Sequence, residues 1–266
     1  MTQITLSGLY IYPIKSAAGI ALGEATVGDR GLQHDRRWMV ASPNGKFMTQ
    51  RQHPTMALIR VGLGEQLQLS APGMADLALP LEPALEAIAL EVEVWGDRCA
   101  ALSMGSSAQA WLSQFLQTPC QLVYMPDQSR RPTAHGQLGQ DKLVSFADAY
   151  PLLLISEASL ADLNGRLAEP VPMDRFRPNL VVTGCGAFAE DAWQRIRIGD
   201  IGFDLPKRCD RCSIPGVDQS SGIQYKEPLL TLAKYRLQGG KIWFGQNLVH
   251  HATGKLRLGD SIELSN

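Results

Sequence analysis

The chain has 266 residues, 45% of them hydrophobic and 19% charged, enough to bury a substantial core as one large domain or two small ones. Its 25 Lys+Arg against 26 Asp+Glu leave a formal net charge of −1, which argues against a general nucleic-acid binder and gives no reason for a polybasic membrane anchor. No apolar run approaches the roughly 18–20 residues of a membrane span. The start of the chain lacks the basic region of a signal peptide, and five cysteines, an odd number, do not suggest a disulfide scaffold, so a reducing cytoplasm is the expected compartment.

With Gly 25 and Pro 16 the chain suits short strands and many turns better than a helical bundle. Leu9 and Ile11 alternate before Pro13 and predict a first strand. Residues 38–40 and 47–49 flank Pro43-Asn44-Gly45-Lys46, and an Asn-Gly between apolar runs predicts a hairpin because both residues tolerate positive φ. Leu67 and Leu69 alternate with Gln66 and Gln68, and residues 89–95 alternate as well, predicting two further strands. A helix follows over about 106–116, capped by Ser106 or Ser107, with Ala108, Trp111, Leu112, Phe115 and Leu116 on one apolar face. Residues 126–142 are polar, rich in Pro, Gly and Gln, and without period. They read as a long loop and a domain boundary. Composition favours a solvated linker, with the alternative that Arg130-Arg131 reaches into a site. Beyond it, 152–155 reads as a strand, Ser156 caps a helix over 157–167 with Leu160, Leu163 and Leu167 inward, and 180–182, 197–198 and 201–203 read as strands. A helix spans 227–236 with Pro228 in its first turn, and Phe244, 256–258 and 261–264 complete the β structure.

The most informative stretch is Lys207-Arg208-Cys209-Asp210-Arg211-Cys212, two cysteines among three cations. Nearby positive charge favours thiolate, a nucleophile and a soft metal ligand. Four readings stay open. A zinc half-site lacks its other half, because Cys99, Cys120 and Cys185 stand alone and His250-His251 would need an unusual arrangement. A thioredoxin-like pair would open a helix, which Pro215-Gly216 cuts short. The cysteines are otherwise packing residues of a turn, or one is a single thiolate ligand to a cofactor metal, with the cations facing an anionic cofactor.

Four other clusters suit anions. Arg175-Phe176-Arg177-Pro178-Asn179 offers guanidiniums for phosphate or carboxylate, or two ordinary surface arginines at a strand entrance. In Tyr12-Pro13-Ile14-Lys15-Ser16 a Lys and a Ser follow an X-Pro turn. Ser156-Glu157-Ala158-Ser159 is an anion site at a helix start or a plain N-cap. Arg36 and Arg37 precede Trp38 with opposite side-chain directions, so at most one faces a given pocket. No Walker, G-x-S-x-G, H-E-x-x-H or G-x-G-x-x-G pattern occurs.

Taken in order, YPIKS, HDRRW, SEASLADLN, RFRPNLVV, AEDAW, IGD, CDRC, KEPLLTLAKYR, FGQN and LRLGD run from about residue 4 to 264. This series resembles the MOSC-domain proteins with an N-terminal MOSC-associated β-barrel domain, the group of the mitochondrial amidoxime-reducing components and the bacterial YcbX-type proteins. The resemblance implies a mainly β (α+β) fold with peripheral helices and two β-barrel-like domains, 1–125 and 126–266, whose segments interleave at a cofactor site. The implied cofactor is molybdenum–molybdopterin, one pyranopterin dithiolene with a terminal phosphate, and not pyridoxal phosphate. Cys212 falls on the metal-ligating cysteine, and Cys209 does not. Lys15, Ser16, Arg36, Arg177 and Asn179 match cofactor contacts, Ser156 is placed with them, and Asp148 falls where it assists proton delivery. The implied reaction is two-electron reduction of small N-hydroxylated substrates, the oxygen leaving as water. No cysteine follows LRLGDSIEL, so no second redox centre is expected, and electrons come from an external donor, a flavoprotein reductase or ferredoxin-like protein. The alternative is a non-catalytic carrier of molybdenum cofactor or persulfide sulfur. Where many relatives carry a Thr pair, this sequence has Pro215 and Gly216, predicting a pocket wall without those hydroxyls.

Overall fold

The computed structural model describes residues 3–139 and 141–265. The protein is mainly β. One sheet has nine strands, ordered Ile262–Ser265, Arg195–Ile198, Ile201–Asp210, Lys241–His250, Leu152–Ser156, Leu180–Thr183, Thr5–Ile11 and Ile20–Leu22, with Leu237–Gln238 paired to Lys241–His250. A second has five, ordered Ala89–Val94, Asp97–Ser103, Gln121–Tyr124, Trp38–Ala41 and Ile14–Lys15. The first strand of the chain therefore belongs to the sheet built from its second half, antiparallel to Leu180–Thr183. Only Tyr12-Pro13 separates it from Ile14–Lys15 in the other sheet. The two sheets consecutively share one stretch of backbone, and Lys15 emerges at that junction.

Thr5–Ile11 shows how pattern becomes packing. Leu6 lies on the opposite parity from Leu9 and Ile11, yet all three are buried in one core. A register shift between Leu6 and Gly8 supplies the missing residue of phase. That core also holds Phe203, Leu248 and Ile196, and a second gathers Trp38, Met56, Leu67, Leu69 and Leu112.

The helix Ser106–Leu116 starts at Gly105, which caps it without a side-chain bond, so neither predicted serine is the cap. The helix predicted over 157–167 stops at Asn164, and the one over 227–236 begins at Leu229 with Pro228 as its cap. The Asn-Gly turn forms, but Gly45 alone carries positive φ, and its second arm pairs through a single bridge, Ala41 to Phe47. Beyond Met48, whose N–H still bonds Val40 O, residues 49–51 turn away toward the cleft described below. The strands of the second half are longer than their apolar runs, because Ile201–Asp210 and Lys241–His250 pair over their length through two irregularities.

The 126–142 stretch differs most from expectation. Gln140 lies outside the described residues. Of the rest, Ser129, Arg131 and Thr133 are buried, Arg131 to 1% exposure. The segment is part of the packed structure, and the solvated-linker reading fails for it. Among the described residues no helix is long and apolar enough to cross a membrane.

Candidate functional site

Where the two sheets share backbone, a cleft opens. Lys15, Ser16, Arg36, Asp148, Arg177, Asn179 and Cys212 all line it. Each reaches it for a separate local reason.

Lys15 ends the short strand held parallel against Trp38–Ala41. Its Nζ donates to Phe146 O at 2.7 Å and to Asp148 Oδ1 at 2.5 Å. Burial pulls the Lys15 ammonium down to about 8, against the upward pull of Asp148. Asp148 keeps 56% of its side-chain surface open. Burial on its protein side would raise its carboxyl, but Lys15 overrides this and holds it well below the usual carboxylate range.

Arg36 and Arg37 diverge, but not as strand neighbours: Arg36 lies in the turn before Trp38–Ala41. Arg37 turns to Tyr124 Oη and Asp127, while Arg36 Nη1 donates to Asp35 Oδ2 and to Asn179 Oδ1 at 3.0 Å. Asn179 also accepts from Leu153 N and donates to Tyr10 O, so it ties three strand segments to the Arg36 head. Arg175 and Arg177 part as well. Arg175 is buried and donates to the carbonyls of Pro215 and Gly216, clamping the turn after Cys212. Arg177 stacks on the Tyr12 ring at 4.2 Å, with Arg36 at 4.4 Å from the same centroid. It is 8% exposed, and its one hydrogen-bond acceptor is Gln219, at 3.2 Å. Burial above all, with Arg36 adding to it, lowers Arg177 to about 10. A buried cation without a carboxylate partner is the arrangement a bound anion completes.

Ser16, Arg36 and Arg177 all hold left-handed backbone, at φ 68°, 49° and 57°. For such residues this costs on the order of 1–3 kcal/mol each, offset by surrounding bonds. Gln50 Nε2 holds the Ser16 carbonyl at 2.8 Å, and Phe146 N holds that of Arg36 at 3.0 Å.

The two cysteines of the CDRC run sit differently. Cys209 lies inside the Ile201–Asp210 strand, so no helix opens there and the thioredoxin-like reading drops out. Arg211 Nη1 donates to its sulfur at 3.1 Å, yet burial pushes the Cys209 thiol up. Cys212 follows the strand end, and among the described residues no hydrogen bond engages its sulfur. Lys207 and Arg208 do not surround the sulfurs. Lys207 pairs with Asp210 and Arg208 bonds Gln238. Among the described residues no three of His, Cys, Asp or Glu converge as metal ligands, which removes the multi-ligand zinc site.

Ser156 is elsewhere. It is fully buried, accepts from Ser159 N as an N-cap, and donates to Glu190 Oε2 at 3.0 Å. Its hydroxyl is consumed by the helix start and a buried carboxylate, and it does not line the cleft. Pro215 and Gly216 are buried under Arg175, and Ile214 lines the cleft in their place, so the Thr-pair positions form no part of this wall.

Sequence reasoning missed Arg51 and Thr49, which line the cleft with Arg211, the one cation of the CDRC run that reaches it. Thr49 Oγ1 and Arg211 Nε are buried there without a partner. It also missed Arg131, whose guanidinium donates to Asp97 and to the carbonyls of Ser145, Ala147 and Asp148. Arg131 thereby shapes the segment presenting Asp148. The basic pair at 130–131 was the only signal for it. In all, five cations (Lys15, Arg36, Arg51, Arg177, Arg211) face two carboxylates (Asp148, Asp210) across the cleft. This local excess is hidden by the near-zero net charge.

Comparison with known proteins gives two family matches, the MOSC N-terminal beta barrel domain over residues 3–119 and the MOSC domain over 141–263. The mitochondrial amidoxime-reducing component 1 of Mus musculus is 38% identical, covering 98% of this chain and 82% of the relative. Its Homo sapiens counterpart is 36% identical over the same shares. A molybdenum cofactor sulfurase of Oryza sativa subsp. japonica is 35% identical over 92% of this chain, which spans 32% of that protein.

Proposed function

The chain belongs to the MOSC family, with the MOSC N-terminal beta barrel domain preceding the MOSC domain, and from that premise we propose that it is a molybdenum-cofactor-dependent oxidoreductase of N-hydroxylated compounds, supplied with electrons by a separate donor protein. The observation that carries this reading is one cysteine sulfur, that of Cys212, without a partner among the described residues, in a cleft where five cations face two carboxylates.

The residues fit such a cofactor. A thiolate is a soft ligand suited to molybdenum, and Cys212 would supply it. Lys15, Arg36 and Arg177, with Ser16 and Asn179 between them, would hold an anionic phosphate through charge-assisted bonds. The unpartnered Thr49 Oγ1 and Arg211 Nε are the polar atoms left for such a ligand to satisfy. Molybdenum held by a pyranopterin dithiolene supplies the two-electron chemistry of N–O cleavage, with oxygen leaving as water. The chain's own part is to bind, orient and manage protons. Asp148, half open to the cleft, stays ionised beside Lys15, and the proton of this pair that exchanges nearest neutrality is on Lys15 Nζ. The cytoplasm is the proposed compartment.

Metal analysis and pterin fluorescence of the purified protein test this directly. Molybdenum near stoichiometry is expected, lost in Cys212→Ala and kept in Cys209→Ala. With an artificial reductant, benzamidoxime should yield benzamidine. Full molybdenum without benzamidine leaves the carrier role, and zinc in place of molybdenum overturns both.

A further inference from the structure

Among the described residues each cleft cation but one has at least one side-chain donor engaged. Lys15 bonds Phe146 and Asp148, Arg36 bonds Asp35 and Asn179, Arg177 bonds Gln219, and Arg211 bonds Phe176 O and Cys209. Arg51 lines the same cleft, and among the described residues none of its N–H groups is hydrogen-bonded and no carboxylate pairs with it. It is nonetheless held in place. Its Cζ lies 4.4 Å from the Trp95 ring centroid, and Trp95 packs in turn on Phe47 at 5.2 Å. Trp95 is 45% exposed at the turn between Ala89–Val94 and Asp97–Ser103, so the stack stands at the cleft's mouth.

The neighbouring side chain serves another side of the site. Gln50 bonds the Ser16 carbonyl and Gln219, and Gln219 bonds Arg177, which joins Gln50 to the proposed phosphate cradle. Arg51 instead acts on Asp148, whose carboxylate it helps to keep ionised. A guanidinium held over a ring with its N–H groups unengaged leaves them free for a bidentate carboxylate, and its prior ordering lowers the entropy lost on binding.

We infer that Arg51 is a specificity-determining residue that receives a carboxylate of the substrate, so that the preferred substrates carry an anionic group beside the N-hydroxylated centre. The substrate assignment rests on the reductase reading above.

The test compares 4-carboxybenzamidoxime with benzamidoxime on the molybdenum-loaded protein, and measures binding of the two product amidines by calorimetry. Wild type is expected to bind 4-carboxybenzamidine about tenfold or more tightly than benzamidine, as a charge-assisted bidentate contact allows. Arg51→Gln should erase that difference with unchanged molybdenum and pterin content, and Arg51→Lys should restore part of it. The kcat/KM preference for the carboxylated amidoxime should fall by a similar factor, chiefly through KM. Equal binding of both amidines to wild type overturns the inference. Loss of molybdenum from Arg51→Gln overturns it too, by assigning the guanidinium to the cofactor's phosphate. If carboxylate-dependent binding is found but neither amidoxime is reduced, the reductase reading fails and the anion site at Arg51 stands.

Discussion

Replacing Arg131 tests whether residues near the middle of the chain are linker or framework. The side chain is 1% exposed and donates four hydrogen bonds, to Asp97 Oδ2 at 2.9 Å and to the carbonyls of Ser145, Ala147 and Asp148 at 2.8, 2.5 and 2.7 Å. Arg131→Met keeps an unbranched chain and removes every donor. Three carbonyls then lose a charged partner, at about 1 kcal/mol or more each for an acceptor left unsatisfied. Asp97 retains 22% of its side-chain exposure and its contact with His135 at 2.8 Å, so it adds less than a fully buried charge would. The expected loss is about 3–5 kcal/mol. For a chain of this size that corresponds to a fall in Tm of about 10 °C. Urea unfolding followed by far-ultraviolet circular dichroism measures it. Arg131→Lys, with one point charge for four acceptors, should fall between the two. The same loosening frees the segment presenting Asp148, so molybdenum retention is expected to drop alongside stability. A change below about 1 kcal/mol in Arg131→Met, as for a solvated loop residue, refutes the reasoning.

Lys15 should carry a pH signature. Its folded value of about 8 lies below its ordinary 10.5, so the unfolded chain binds more protons between these values. The burial penalty is therefore full below about pH 8 and relieved as pH rises toward 10.5, and the stability of wild type relative to Lys15→Met should improve from pH 7.5 to 9.5. A difference independent of pH contradicts this. Gly216→Thr should destabilise the protein rather than restore a hydroxyl to the cleft, because a Cβ at Gly216 would meet Tyr225 O at 2.4 Å; thermal unfolding reads this as a loss of about 2 kcal/mol or more. Arg36→Ala and Arg177→Ala should each lower pterin content after gel filtration while Arg37→Ala, facing Asp127, leaves it unchanged. Normal loading in both cleft variants would dismiss the phosphate cradle.

Local physics was legible without coordinates. The apolar face of Ser106–Leu116 and the alternation of Gln66–Ser70 follow from helix and strand periods alone. So did the chemistry of the CDRC run, since residue type decides which atoms can be a soft ligand. The family followed from ten short segments in order. What tertiary structure decided was partnership. Ser156 suited an anion site or, as the stronger default, a cap; it caps its helix, and a buried Glu190 from another part of the chain took its hydroxyl. Arg131 looked solvated because its acceptors are backbone carbonyls, which no side-chain pattern displays. Lys207 and Arg208 are neighbours of Cys209 in sequence but not around its sulfur, since Asp210 and Gln238 engage them instead. Arg51, by contrast, reaches the cleft from far along the chain, because residues 49–51 leave the hairpin. A sequence specifies what each side chain is able to bind. Only the pairing of distant strands, which carries Thr5–Ile11 into the sheet of the second half, determines which of those capacities meet in one place.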